Sequence, residues 1–127
     1  MSEARRLVVV VEDDADIRAM LHFALDSGGW DVADASDGQE ALDKLRGGLR
    51  PCLILLDLTM PRMNGQQFLD ALRADAALGH AAVVVLSGDG NVSQKAAALG
   101  TDGYLRKPVD LDTLYATVRR YCQAGPS

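Results

Sequence analysis

Three stretches of this chain, LVVVV at 7–11, LILLD at 53–57 and AVVVLS at 82–87, are apolar at nearly every position instead of every second one. A strand with one wet face alternates apolar and polar side chains. A strand that is apolar throughout needs cover on both faces, and a parallel sheet flanked by helices supplies that cover. The chain is thereby restricted to layered α/β architectures, with these three runs as the central strands.

Helical periodicity fills the gaps. Ile17, Met20, Leu21, Ala24 and Leu25 recur at i, i+3, i+4, i+7 and i+8, one apolar helix face that Gly28 and Gly29 bring to a stop. A second helix is predicted from about Asp37 to Arg46 over Ala41, Leu42 and Leu45, and a third from near Asn64 with Phe68, Leu69 and Leu72. A fourth, α4, covers roughly Val92 to Leu99; it is mostly alanine and offers little large apolar surface, so it is expected to be the loosest. A fifth, α5, begins at the N-cap residue Asp110 and places Leu111, Leu114, Val118 and Tyr121 on one side. The strands are then β1 (Leu7–Val11), β2 (Trp30–Ala35), β3 (Leu53–Asp57), β4 (Ala82–Ser87) and β5 (Gly103–Arg106). Five βα units without a repeat or linker predict a flavodoxin-like doubly wound sheet of order 2-1-3-4-5, since a barrel needs eight strands.

The 127 residues suit a single domain, with flexible ends expected at roughly 1–6 and 123–127. The chain stops after α5, which reads as a stand-alone unit or as a piece of a longer protein. No apolar run is long enough to span a bilayer, and the N-terminal run is cut short by Glu12, Asp13 and Asp14, unlike a signal peptide; a cytoplasmic protein without membrane insertion is expected. A net charge of −5 and the lack of a basic stripe argue against nucleic acid as a direct partner. Cys52 and Cys122 stand far apart with no metal-binding spacing, and read as separate, core or partly covered thiols.

In an open α/β sheet, ligands bind beyond the carboxyl ends of the strands where strand order reverses, here between β1 and β3. β1 runs into Glu12, Asp13 and Asp14, and β3 ends on Asp57. Singly these acids have ordinary explanations: Asp14 is a helix cap, and Asp57 fits a strand-end turn. Together they place three carboxylates in one pocket, which is unfavourable without a cation. Oxygen-only donors select a hard ion, and Mg²⁺ suits them best, with Asp13 and Asp57 as ligands, Glu12 acting through a water and the backbone carbonyl of Thr59 as a further ligand. Ser87 closes β4 and Lys107 follows β5, so both point to the same pocket; Pro108 biases Lys107 toward an extended backbone that keeps it at the strand exit. Three carboxylates, one Mg²⁺ and one ammonium sum to about neutral. That balance suits attack by Asp57 on a phosphoryl group, the product being stabilised by metal, lysine and the Ser87 hydroxyl.

At these residues the chain resembles a response-regulator receiver domain of two-component signalling, over nearly its whole length. "VVVEDDADIR", "LILLDLTMPRMNG", "VVLSG" and "GYLRKP" occur in that family's order at four strand ends. The resemblance implies that Asp57 accepts phosphate from a phosphohistidine on a sensor histidine kinase or histidine phosphotransfer protein. It also implies that Glu12 and Asp13 form the acidic pair, with Asp13 the direct Mg²⁺ ligand. Ser87 is then the hydroxyl that turns to the phosphoryl group, Lys107 its salt-bridge partner, Tyr104 the aromatic switch, and Pro108 follows a cis peptide. Such a chain catalyses only its own phosphorylation and dephosphorylation, and signals to a downstream protein through the α4-β5-α5 surface. Thr59 and Asp89 are expected to flank the phosphoryl group and set its lifetime. Lys95, Arg106 and Asp112 are candidates for dimer contacts but read better as solvated surface charges.

Three rivals stand beside this reading. A haloacid-dehalogenase-type phosphatase also uses a strand-end aspartate and Mg²⁺ but wants a second acid where Thr59 stands. A flavodoxin-like FMN carrier needs a phosphate loop where this chain has three acids. A pseudo-receiver keeps the fold as an interaction module without phosphoryl chemistry.

Overall fold

The structure, a computed structural model, describes residues 7–58, 65–78 and 81–122. Its elements run β1 (Leu7–Val11), α1 (Ala15–Ser27), β2 (Asp31–Ala35), α2 (Gly38–Arg46), β3 (Leu53–Asp57), α3 (Gly65–Ala74), a 3₁₀ turn (Ala76–Leu78), β4 (Ala82–Ser87), α4 (Val92–Leu99), β5 (Gly103–Arg106) and α5 (Leu111–Tyr121). All pairings are parallel, in the order β2-β1-β3-β4-β5. This is the predicted flavodoxin-like fold, with β2 one residue shorter at its start. Asn64, where α3 was expected to begin, and the chain ends expected to be flexible lie outside the described residues.

The unbroken apolar runs are explained by the two cores. Along β1, Val9 and Val11 face α2, α3 and α4 with Ile54, Leu56, Val83 and Val85. The intervening Val8 and Val10 face α1 and α5 with Leu53, Leu55, Val84 and Leu86. Successive side chains of one strand thus enter opposite layers, and neither layer tolerates a polar residue.

Each acid placed at a helix start has a local task. Asp14 Oδ1 accepts from the N–H groups of Asp16 and Ile17 at 2.9 and 3.0 Å, Asp37 Oδ1 from Glu40 at 2.8 Å, and Asp110 Oδ2 from Thr113 at 3.0 Å. At α4 the cap position, Asn91, makes no side-chain cap bond, and only Val92 and Ala96 of that helix are buried. Its C-terminus is held from outside: the Arg73 guanidinium donates to the carbonyls of Leu99 and Gly100 at 2.9 and 3.0 Å.

Three sequence expectations need correction. Met20 and Leu111, assigned to apolar helix faces, are 55% and 51% exposed, because Leu21 and Leu25, and Leu114 and Val118, already fill the space against the sheet. Cys52 and Cys122, read as separate thiols, are joined in a disulfide. Packing α5 against the sheet brings the residue before β3 and the C-cap of α5 to a Cα separation of 5.6 Å, inside the range a disulfide spans.

The turn after α1 is tight for a steric reason. A Cβ on Gly28 would lie 2.6 Å from Trp30 Cζ3 and 3.0 Å from Tyr115 Cε1. Neither ring has room to give, since Trp30 is buried and the Tyr115 hydroxyl is fastened to the Ala24 carbonyl at 2.7 Å. Gly28→Ala is therefore expected to lower unfolding stability by about 1–3 kcal/mol in urea titrations. Gly90→Ala, where a Cβ meets open space, should shift it by no more than about 0.5 kcal/mol.

Candidate functional site

The parallel register brings four strand ends to one edge of the sheet: Val11 pairs with Leu56, Asp57 with Leu86 and Ser87 with Arg106. The residues that end or follow these strands therefore converge. Asp57 and Ser87 are fully buried, Glu12 is 1% exposed, and Asp13 projects into solvent beside them. One oxygen from each of Glu12, Asp13 and Asp57 can be chosen so that all three lie within 4.8 Å of one another.

Glu12 is held from several sides. Its N–H donates to the Ala35 carbonyl at 3.0 Å, its carbonyl accepts from the Arg18 guanidinium at 2.7 Å, and Oε2 accepts from the Asp14 N–H at 3.2 Å. Oε1 is 3.1 Å from Lys107 Nζ, an ion contact whose angles fall outside hydrogen bonding. The same ammonium donates to Asp57 Oδ1 at 3.1 Å. One cation thus faces two buried carboxylates. Burial, and then the neighbouring Asp57, push the Glu12 carboxyl up from 4.5 to about 7, against the lowering pull of Lys107. Burial opposes the charge of Lys107, but its contacts with Glu12 and Asp57 outweigh this and raise its pKa.

Lys107 is fixed by its own backbone, its N–H donating to the Ser87 carbonyl at 2.9 Å ahead of a cis peptide to Pro108. The Ser87 hydroxyl accepts the N–H of Asp89 at 3.1 Å. Tyr104 pairs with Val85, so it points to the same sheet face as Ser87, and it is 46% exposed. Asp89 forms an ion pair with Lys95 of α4. Thr59 lies outside the described residues.

Sequence reasoning assigned no task to Arg18 and left Lys95 and Arg106 as surface charges. In the structure Arg18 braces the Glu12 carbonyl, Lys95 meets Asp89, and Arg106 donates to the Gly90 carbonyl at 3.1 Å. A basic residue one or two turns from a strand-end loop is too common a feature to have signalled these contacts.

The donor set fits a hard divalent ion. It is all oxygen, it carries a surplus of two negative charges after Lys107 is counted, and one buried oxygen, Glu12 Oε1, has an ion contact but no hydrogen bond.

Residues 8–119 match the family model described as the response regulator receiver domain. Among curated proteins, the DNA-binding response regulator MtrA of Mycobacterium bovis is 38% identical over 121 residues; the match covers 94% of this chain and 51% of that protein. The chain thus spans about half the length of the curated relatives it matches, and their DNA-binding names leave the expected lack of a nucleic-acid partner without support. Among solved structures, the Vibrio cholerae chemotaxis protein CheY4 superposes with a TM-score of 0.83 at 32% identity, covering 93% of this chain and 99% of that one. A response regulator receiver protein from Pseudomonas putida does so at 0.80 and 36%, covering 94% and 99%. Among the described residues, no helix is long and apolar enough to cross a membrane.

Proposed function

Because the chain belongs to the response regulator receiver domain family, we propose that it is a phosphoacceptor whose Asp57 takes a phosphoryl group from a phosphohistidine of a sensor histidine kinase or histidine phosphotransfer protein in the cytoplasm. The observation that carries this reading is the single Lys107 ammonium 3.1 Å from both Glu12 Oε1 and Asp57 Oδ1, beside the third carboxylate, Asp13.

The reaction follows from the charges. A carboxylate oxygen of Asp57 attacks phosphorus, the P–N bond to the imidazole breaks, and the electron pair leaves with the ring nitrogen. The product is an acyl phosphate on a side chain that the fold keeps out of water. Lys107 stabilises the growing negative charge, while Glu12 and Asp13 would hold Mg²⁺ with Asp57 and the Thr59 carbonyl. When bound, the ion offsets carboxylate repulsion and polarises phosphoryl oxygens. Ser87 lies at the end of the neighbouring strand, and its rotation toward the new anion gives up the Asp89 N–H. Tyr104 moves toward the vacated space, and the α4-β5-α5 surface changes for a downstream protein. This is a population shift biased by one modification. The chain acts only on itself.

Intact mass tests the proposal. With Mg²⁺ and a small phosphodonor such as acetyl phosphate, the wild type should gain one phosphoryl group and Asp57→Asn none. No gain in either, the pseudo-receiver outcome, or equal gain in both, overturns the reading.

The Asp89–Lys95 ion pair holds the β4–α4 loop beside the site, so Asp89 governs the approach of water to the acyl phosphate. Asp89→Arg is expected to change the dephosphorylation rate constant by about tenfold, measured by phosphate release after donor removal. An unchanged rate removes Asp89 from this role.

A further inference from the structure

The Cys52–Cys122 pair sits away from the site, at the opposite end of the strands. Cys52 precedes β3, and its backbone is pinned on both sides: its N–H donates to the Leu7 carbonyl at 2.9 Å and its carbonyl accepts from Ala82 at 3.2 Å. Cys122 caps α5, its N–H donating to the Val118 carbonyl at 2.7 Å. These backbone bonds, the burial of Leu114 and Val118, and the Tyr121 hydroxyl on the Asp102 carbonyl at 3.0 Å do not depend on the sulfur–sulfur bond. They hold the Cα atoms 5.6 Å apart, so the pair is preorganised to close. The two sulfurs differ in access, Cys52 being partly exposed and Cys122 2% exposed.

We infer that this pair is a reversible thiol–disulfide exchange site that determines how firmly the last turn of α5 is bound to the sheet. Its reaction partner is a dithiol/disulfide couple. In opening, an external thiolate attacks the Cys52 sulfur, the Cys52–Cys122 bond breaks, and Cys122 leaves with the electron pair and takes up a proton. The second thiol of the reductant then attacks its own sulfur in the mixed disulfide and releases Cys52 as a thiol. The protein gains two electrons and two protons, and the dithiol, losing both, becomes a disulfide; closing is the reverse. In a reducing compartment the pair rests open, and its closing reports an oxidant. Because α5 belongs to the surface assigned above to output, a closed pair stiffens that surface, a consequence that rests on the proposed function.

The 127-residue chain is equilibrated across mixtures of reduced and oxidised dithiothreitol, quenched in acid, denatured and labelled with a maleimide. Intact mass then counts free thiols, and hydrogen exchange follows α5. The count should move from none to two as reductant rises and return on reoxidation. Amides of residues 117–122 should exchange about tenfold faster in the reduced protein while those of β1 hold still. Cys52→Ser should match the reduced wild type. Two labels at every ratio, no labels at any ratio, or α5 exchange indifferent to opening would each overturn the inference. None of these readouts involves phosphate, so a chain that fails to phosphorylate would sink the Asp57 proposal and leave this one standing.

Discussion

Asp57→Asn should make the metal-free protein more stable by about 1–2 kcal/mol at pH 8 while abolishing its capacity to accept phosphate. Asp57 is fully buried beside Glu12, which is 1% exposed, and the two share one ammonium. The fold therefore confines more negative charge than it neutralises. The asparagine amide keeps the shape and an oxygen to accept from Lys107, and removes one charge. Glu12 then loses the neighbour that raises its pKa and pairs with Lys107 alone. Urea unfolding with a chelator measures the gain, and it should shrink when Mg²⁺ is supplied to the wild type, because an ion that binds only the native state stabilises it by mass action. A less stable variant under chelator would mean that the pocket carries no such conflict. Opposite signs for stability and activity are the mark of a site held against its own electrostatics.

Lys107→Met should act in the other direction, lowering stability by about 3–5 kcal/mol at pH 8 without divalent ion, since it takes from two buried carboxylates the ammonium they share. The loss should be smaller at pH 5, for a reason that lies in Glu12. Its folded pKa of about 7 is above its ordinary 4.5. Between those values the folded state binds a proton that the unfolded chain has released, so this group's stabilising contribution is present below 4.5, falls as pH rises through the window and is gone above 7. In wild type that slope alone amounts to about 1–3 kcal/mol between pH 5 and pH 8. Without Lys107, proton uptake by Glu12 carries more of the relief of that repulsion, so the slope should steepen. Chelator-containing urea titrations at the two pH values measure it. Equal losses at both would show that Glu12 is not the titrating group.

Much of this site was legible before any coordinates. A strand that ends on a carboxylate in a parallel sheet must present it at one edge, and strand order puts Glu12 and Asp57 on neighbouring strands. Lys107 was placed by its strand and by Pro108. The sharing of one ammonium between Glu12 and Asp57 was not legible, because it depends on side-chain reach across two strand gaps to Asp57 and three to Glu12. The contacts of Arg18 and Arg106 with loop carbonyls escaped for the same reason.

Patterns of apolar residues along the chain determined the element types and the two-sided sheet, because local backbone geometry repeats with periods that a sequence displays directly; the strand order followed from the succession of five βα units in a doubly wound sheet. Periodicity names a helix stripe but not the width of sheet available to it, so the exposure of Met20 and Leu111 was settled by packing. The same holds for Cys52 and Cys122, 70 residues apart, whose meeting depends on how α5 lies across the sheet. Distances between elements are set by the volumes of the side chains between them, and no single stretch of sequence contains that sum.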